Sequence, residues 1–264
     1  MPARTALITG ASAGIGEAFA EVFAAEGWNL VLIARREDRL RAVAERLASA
    51  HRIDARVIVA DLGERGAPAR VADQLAASGV TVDALVNNAG FGVPGSYLRS
   101  TWERQDHALQ VMVTGVAELT YLFLPGMLER GYGWIINVAS VAGLVPAPGG
   151  HTLYAATKAF LIKFSEALGH EVRAGGVHVT ALCPGFTRSE FHDVTGTREQ
   201  MKAMPAWLWL DASRVAREGY DAVMGGVPIY VNGRIYRVIV ALVRFAPAWL
   251  IRAVEQRLGH RSRE

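Results

Sequence analysis

The chain has 264 residues, 51% of them hydrophobic and 20% charged, with a formal net charge of +3. Such a chain can bury the large core of one α/β domain, and its charge, with no basic block interleaved with aromatics, gives no sign of nucleic-acid binding. Cys183 is the single cysteine, which excludes an internal disulfide and fits a reducing, cytoplasmic compartment.

The N-terminal MPARTALITG reaches a strand and its turn by Gly10, leaving no room for a signal peptide. Continuous Val/Ile/Leu runs predict strands at 5–9, 29–34, 56–61, 84–87, 134–139 and 178–183. Helical patterns alternate with them at 15–26, 38–49, 68–78, 101–129, 152–172 and 213–224. That alternation predicts an α/β fold, a doubly wound parallel sheet with helices on both faces. No run of about 18 apolar residues interrupts it, so no membrane-spanning helix is expected. One main domain is expected over residues 1–225, with an apolar helical extension over 226–264.

In such sheets ligands bind beyond the carboxyl ends of the strands. The motifs converge there: TGASAGIG (9–16) after the first strand, Asp61 after the third, NNAG (87–90) after the fourth. Ser140 follows the fifth and PGF (184–186) the sixth. Glycines at 10, 14 and 16 permit a tight turn and close approach of a phosphate to the N-terminus of the next helix. In HTLYAATKAF, Tyr154 and Lys158 lie four residues apart, on one helical face and roughly 5–6 Å from each other. A neighbouring ammonium favours the ionised phenol, so the pair predicts a proton donor tuned downward toward neutral pH. Only three of the 28 basic residues are lysines, and a lysine, unlike arginine, is a compact charge whose pKa can be tuned. Nothing near Cys183 would activate it, so it reads as a small buried residue. The histidines show no metal-ligand spacing and no metal is expected; His151 and His192 are candidates only for lining a site.

The ordered set TGASAGIG, Asp61, NNAG, Ser140, Tyr154-x-x-x-Lys158 and PGF resembles the short-chain dehydrogenase/reductase family over about residues 5–225. The resemblance implies a Rossmann-type fold, a nicotinamide cofactor and Ser140, Tyr154 and Lys158 as catalytic residues. It sets Gly10, Ser12, Gly14, Ile15 and Gly16 around the pyrophosphate, and Asp61 and Leu62 at the adenine. Asn88, Ala89 and Gly90 fall along the adenine-side ribose and the middle of the cofactor. Tyr154 and Lys158 reach the cofactor too, and the loop with Pro184, Gly185 and Ser189 closes over nicotinamide. The second strand ends in LIARRED, with Ala34 where an acidic residue would hold a ribose 2′-hydroxyl. Arg35 and Arg36 follow, and planar guanidiniums suit a 2′-phosphate, so NADP(H) is expected.

The expected activity is hydride transfer between nicotinamide and a small-molecule carbonyl or alcohol, within a family group that reduces hydrophobic carbonyl compounds. Met112, in LQVMVTG, departs from the family pattern. Asparagine there supports a helix kink and a proton-relaying water, so slowed relay is expected, and a catalytically weak NADP-binding regulatory or scaffold protein is the alternative. Family members assemble through the helices at 101–129 and 152–172, implying a homo-oligomer, dimer or tetramer. Trp207, Leu208, Trp209 and Leu210 are expected to form an apolar lid. Arg234, Arg237 and Arg244 cluster on one side of the following apolar helix, whose greasy face would pack on the domain or a partner, line a lipophilic channel, or rest peripherally on a membrane.

Overall fold

The computed structural model describes residues 4–147, 150, 152–190 and 205–247. In chain order the elements are β1 (Thr5–Thr9), α1 (Gly14–Ala25), β2 (Asn29–Ala34), α2 (Glu37–His51), β3 (Ala55–Val59) and α3 (Ala67–Ala77). Then come β4 (Ala84–Asn87), α4 (Trp102–Leu109), α5 (Gly115–Arg130), β5 (Gly133–Val138), α6 (Thr152–Val172) and β6 (Val177–Cys183). The chain continues through β7 (Thr187–Arg188), β8 (Leu210–Asp211), α7 (Ala212–Met224), β9 (Ile229–Val231) and α8 (Arg234–Phe245). Seven strands form one parallel sheet in the order β3-β2-β1-β4-β5-β6-β9, and β7 pairs separately with β8.

Strand periodicity sorts the core. Along β1, Ala6 and Ile8 face a cluster shared with Phe19 and Phe23 of α1 and Val215 of α7. Leu7 faces the opposite cluster, with Val71 and Leu75 of α3 and Leu119 and Met127 of α5. Both faces are therefore covered, which is why the central strands read as unbroken apolar runs. From β1 the chain first builds outward to β3, then returns to add β4 on the other side. The order reverses between β1 and β4, and a cleft opens there above the strand ends.

Three differences from the sequence reading bear on the site. The helix expected at 101–129 is interrupted by a π-helical turn, Gln110–Thr114, between α4 and α5. The run Trp102–Arg130 has the length and mean hydropathy, 1.5, to cross a bilayer, contrary to expectation; its Leu119 and Met127 are packed into the domain core. Past residue 225 the chain first adds β9 to the sheet, Ala181 opposite Ile229, and only then forms α8. Too short and too close to Pro228 to stand out as an apolar run, β9 escapes a reading by pattern. The expected extension beyond 247, His151, His192 and the segment 191–204 lie outside the described residues.

Candidate active site

The glycine turn is held from two sides. Gly10 and Ala11 donate their backbone N–H groups to Ile33 O at 2.8 and 3.2 Å. Gly10 and Gly14 take φ of +68° and +61°, and a Cβ on Gly10 would fall 2.8 Å from Asn88 Nδ2. A Cβ on Gly16 would lie 2.3 Å from Gly10 O, so α1 can start against the turn only because that side chain is missing. Thr9, which sequence reasoning passed over, ties this turn to the next strand: its hydroxyl accepts from Asn88 N and Ala89 N at 2.9 and 3.0 Å. Asn88 Nδ2 in turn donates to Thr9 O at 2.9 Å. With α1 opening on Ala13 without a side-chain cap, its first N–H groups suit a phosphate, and the turn fits a dinucleotide.

At the end of β2 the two arginines diverge. Arg35 Nη1 lies 3.5 Å from Asp61 Oδ2. Arg36 turns the other way, donating from Nε and Nη2 to Ser12 Oγ at 3.3 and 3.1 Å. Asp61 also accepts from Gly63 N at 2.9 Å and sits 3.2 Å from His107 Nε2. His107, whose ring also meets Phe91 edge-on, was not legible as a site residue because α4 brings it to Asp61 only in the fold.

Ser140 follows β5 in extended backbone, its Oγ accepting from Ala142 N at 3.1 Å and donating to Pro184 O at 3.4 Å. Helix α6 carries Tyr154 and Lys158 on one face, with Lys158 Nζ 5.6 Å from the centre of the Tyr154 ring. Lys158 is buried and donates to Val138 O at 2.7 Å. Burial brings its pKa down to about 8. Burial also pushes the Tyr154 phenol up to about 12, against the pull of its hydrogen bond with Ser140. This reverses the expectation of a phenol tuned downward: the ammonium lies over the ring and is spent on a carbonyl, and desolvation dominates. The Cys183 thiol, pushed up to about 12 by burial, stays neutral near physiological pH and offers no nucleophile.

Met112 is fully buried in a cluster with Ala108 and Val111, against which Ala89, Phe91, Val93 and Tyr154 pack. Its sulfur packs so closely on Gly90 that a Cβ there would stand 3.2 Å away, with Lys158 Nζ at 3.8 Å. The kink that the resemblance ties to asparagine persists without it. Gly115 N donates to Gln110 O, the bond of a π turn, and a Cβ on Gly115 would come within 2.9 Å of that oxygen.

One cavity of about 810 Å³ runs along these parts. Its lining brings together Gly10, Ser12, Gly14, Ile15, Arg35, Arg36, Asp61, Leu62, Asn88, Ala89 and Gly90 with Ser140, Tyr154, Lys158, Pro184, Gly185 and Ser189. Of the residues singled out in the sequence, Gly16 stands behind the wall. The expected lid is arranged differently: Trp207 is exposed, Leu210 is buried, and Trp209 packs on Phe186 at 5.9 Å. Phe186, Tyr236 and Ile239 line the cavity instead. Tyr236 fixes that wall, its hydroxyl accepting from Phe186 N at 3.0 Å and donating to Leu208 O at 2.7 Å. Among the described residues no group of three or more His, Cys, Asp or Glu could hold a metal ion.

The short chain dehydrogenase family model matches residues 4–200. Sulfoacetaldehyde reductase 2 of Chromohalobacter salexigens is 37% identical over 187 residues, covering 70% of this chain and 73% of that protein. A short-chain dehydrogenase from Sphingobium yanoikuyae, solved in complex with NADPH, superposes with a TM-score of 0.80 at 28% identity, over 93% of this chain and 97% of its own. A short-chain dehydrogenase/reductase from Burkholderia phymatum, solved with NAD, gives a TM-score of 0.81 at 29% identity, covering 91% and 92%. Both neighbours hold a nicotinamide dinucleotide. A match that begins before β1 and runs past β6, over a fold shared with these enzymes, makes the chain a member of the short-chain dehydrogenase/reductase family of oxidoreductases.

Proposed function

We propose that this enzyme is an NADP(H)-dependent carbonyl reductase acting on apolar ketones or aldehydes. The observation that carries the reading is the single cavity joining the glycine turn and Arg36 to Ser140, Tyr154 and Lys158. Gly10, Ser12, Gly14 and Ile15 would hold the pyrophosphate, with Gly16 letting α1 approach. Asp61 and Leu62 would face the adenine, and Asn88, Ala89 and Gly90 the adenine-side ribose and the middle of the cofactor. Arg36, oriented by Ser12, would take the 2′-phosphate, with Arg35 beside it. Pro184, Gly185 and Ser189 would cover the nicotinamide, which when bound would supply the hydride. Ser140 and Tyr154 would hold the carbonyl oxygen between them, and Tyr154, with a pKa of about 12, is protonated near neutral pH. It gives that proton as negative charge grows on the oxygen, and the Lys158 charge over the ring steadies the phenolate left behind.

Phe91, Val111, Val141, Val145, Phe186 and Ile239 give the cavity an apolar lining, which suits an apolar substrate. The outward face of α8 extends this surface. Leu242 is 67% and Phe245 82% exposed, with Arg234 and Arg244 alongside and no acidic residue in the helix. That pattern suits a peripheral rest on an anionic lipid surface from the cytoplasmic side. Exposed Tyr121 on α5 and the stacked Phe160–Phe164 pair on α6 suit a homo-oligomer contact. Buried Met112 favours the alternative of a catalytically weak NADP-binding protein.

The deciding experiment follows NADPH oxidation across carbonyls of increasing apolar size, with wild type and Tyr154→Phe. We expect turnover that rises with size, and a variant that binds NADPH within about twofold of wild type yet loses at least about a hundredfold in kcat, a span typical of general-acid loss. Absence of turnover with tight NADPH binding would support the regulatory alternative.

A further inference from the structure

The segment from Pro184 to Glu190 crosses the whole cofactor groove, and each part of it is tied down. Pro184 O accepts from Ser140 Oγ and Val141 N at the catalytic end. Phe186 is held by Tyr236, and Thr187–Arg188 pairs with β8. Ser189 lies against the glycine turn: a Cβ on Gly14 would meet the Ser189 Cβ at 2.9 Å. Glu190 then reaches the start of α2, where Oε2 accepts from Arg36 Nη1 at 2.7 Å and Oε1 from Arg39 Nη1 at 2.5 Å. The two guanidiniums hold its carboxyl below the ordinary range, so it is ionised near neutral pH.

Arg36 thus has all three nitrogens engaged, two by Ser12 and one by Glu190. A phosphate arriving at this guanidinium would stand beside an ionised carboxylate, and like charges so placed repel. Charge-assisted bonds of one anion must give way to those of the other. Both Arg36 and Glu190 border the open cavity, so a dinucleotide without the extra phosphate meets no such conflict.

We propose that Glu190 is a built-in competitor for the ribose 2′-phosphate. In the cofactor-free enzyme its carboxylate occupies the Arg36–Arg39 pair and clasps the 184–190 segment across the groove. The 2′-phosphate of NADP(H) displaces it and releases the clasp, whereas NAD(H) binds with the clasp shut. Glu190 is therefore a specificity-determining residue that weakens NADP(H) binding and makes release of this segment depend on which cofactor enters. The proposal rests on the NADP(H) reading for its physiological ligand, but the competition itself can be read with fragments.

Glu190 is at the surface, so Glu190→Gln keeps the fold while removing the charge. Dissociation constants are measured for NADPH, NADH, adenosine 2′,5′-bisphosphate and 5′-AMP on wild type and variant. We expect NADPH and the bisphosphate to bind about tenfold more tightly to the variant, and NADH and 5′-AMP to change by less than twofold. Glu190→Asp, whose shorter side chain loses its reach to Arg39, is expected to fall between. Unchanged affinity for the bisphosphate, or an equal gain for 5′-AMP, overturns the proposal. A wild type that prefers NADH overturns the NADP(H) reading instead, and the two fragments still report the competition.

Discussion

Lys158 and Met112 show how burial sets the chemistry at single positions. Lys158 keeps its proton only up to about pH 8, because burial disfavours the charge. At limiting NADPH, kcat/KM reports ionisations of the free enzyme. We expect it to hold level below about pH 8 and to fall above it as the ammonium deprotonates, while Tyr154, at about 12, stays protonated throughout. A profile flat to pH 10 would mean that Lys158 keeps its charge in the free enzyme. Met112 is embedded among apolar neighbours. Met112→Asn buries an amide in their midst, at a cost of about 1–3 kcal/mol where it finds no partner. Met112→Leu, close to isosteric, should cost less than about 1.5 kcal/mol. Denaturant melts of the cofactor-free protein compare the two. The spacing of Tyr154 and Lys158 put both on one helical face, and the family resemblance pointed to Ser140, which lines the same cavity. His107 and Glu190 were not legible in the sequence, since their partners Asp61 and Arg36 lie far away in it.

Strands with two buried faces announced themselves: β1, β2 and β4 lie where their apolar runs predict. So did α6, through its own periodicity. The interrupted helix after Thr101 was not visible, since a π turn costs one extra residue and leaves apolar spacing nearly intact. Its lasting mark in the sequence is Gly115, not the residue at 112. Gly115→Ala would drive a Cβ to within 2.9 Å of Gln110 O and 3.5 Å of Leu62 O. We expect a loss of about 1–3 kcal/mol, typical of an overpacked site, and a weaker hold on the cofactor because Leu62 lines the cavity. A variant with wild-type melting and NADPH affinity would show that the turn yields freely. The β9 strand was also hidden, for a different reason. Three residues cannot show a period, and β9 exists through its pairing with β6.

Across the whole molecule, the groove's walls come from distant stretches of chain, from the glycine turn near the start to Tyr236 near the end. A chain ended at residue 247 keeps β9 and α8, and we expect it to remain soluble. One ended at 228 loses both, with Tyr236 and its hold on Phe186, and should appear mainly as aggregate in light scattering. Equal soluble yields would show that β6 tolerates an open edge. The late arrival of β9 also reaches back into the protein's synthesis. When Cys183 leaves the ribosome, β6 has one neighbour and one bare edge of N–H and C=O groups, and everything from Pro184 to Pro228 must still be made before Ile229 can cover it. At about 5–20 residues per second that is a wait of seconds, with an apolar strand open to any other nascent chain. Yield in the cell should then depend on translation speed between those points and on chaperone supply, with no change in the finished protein's stability.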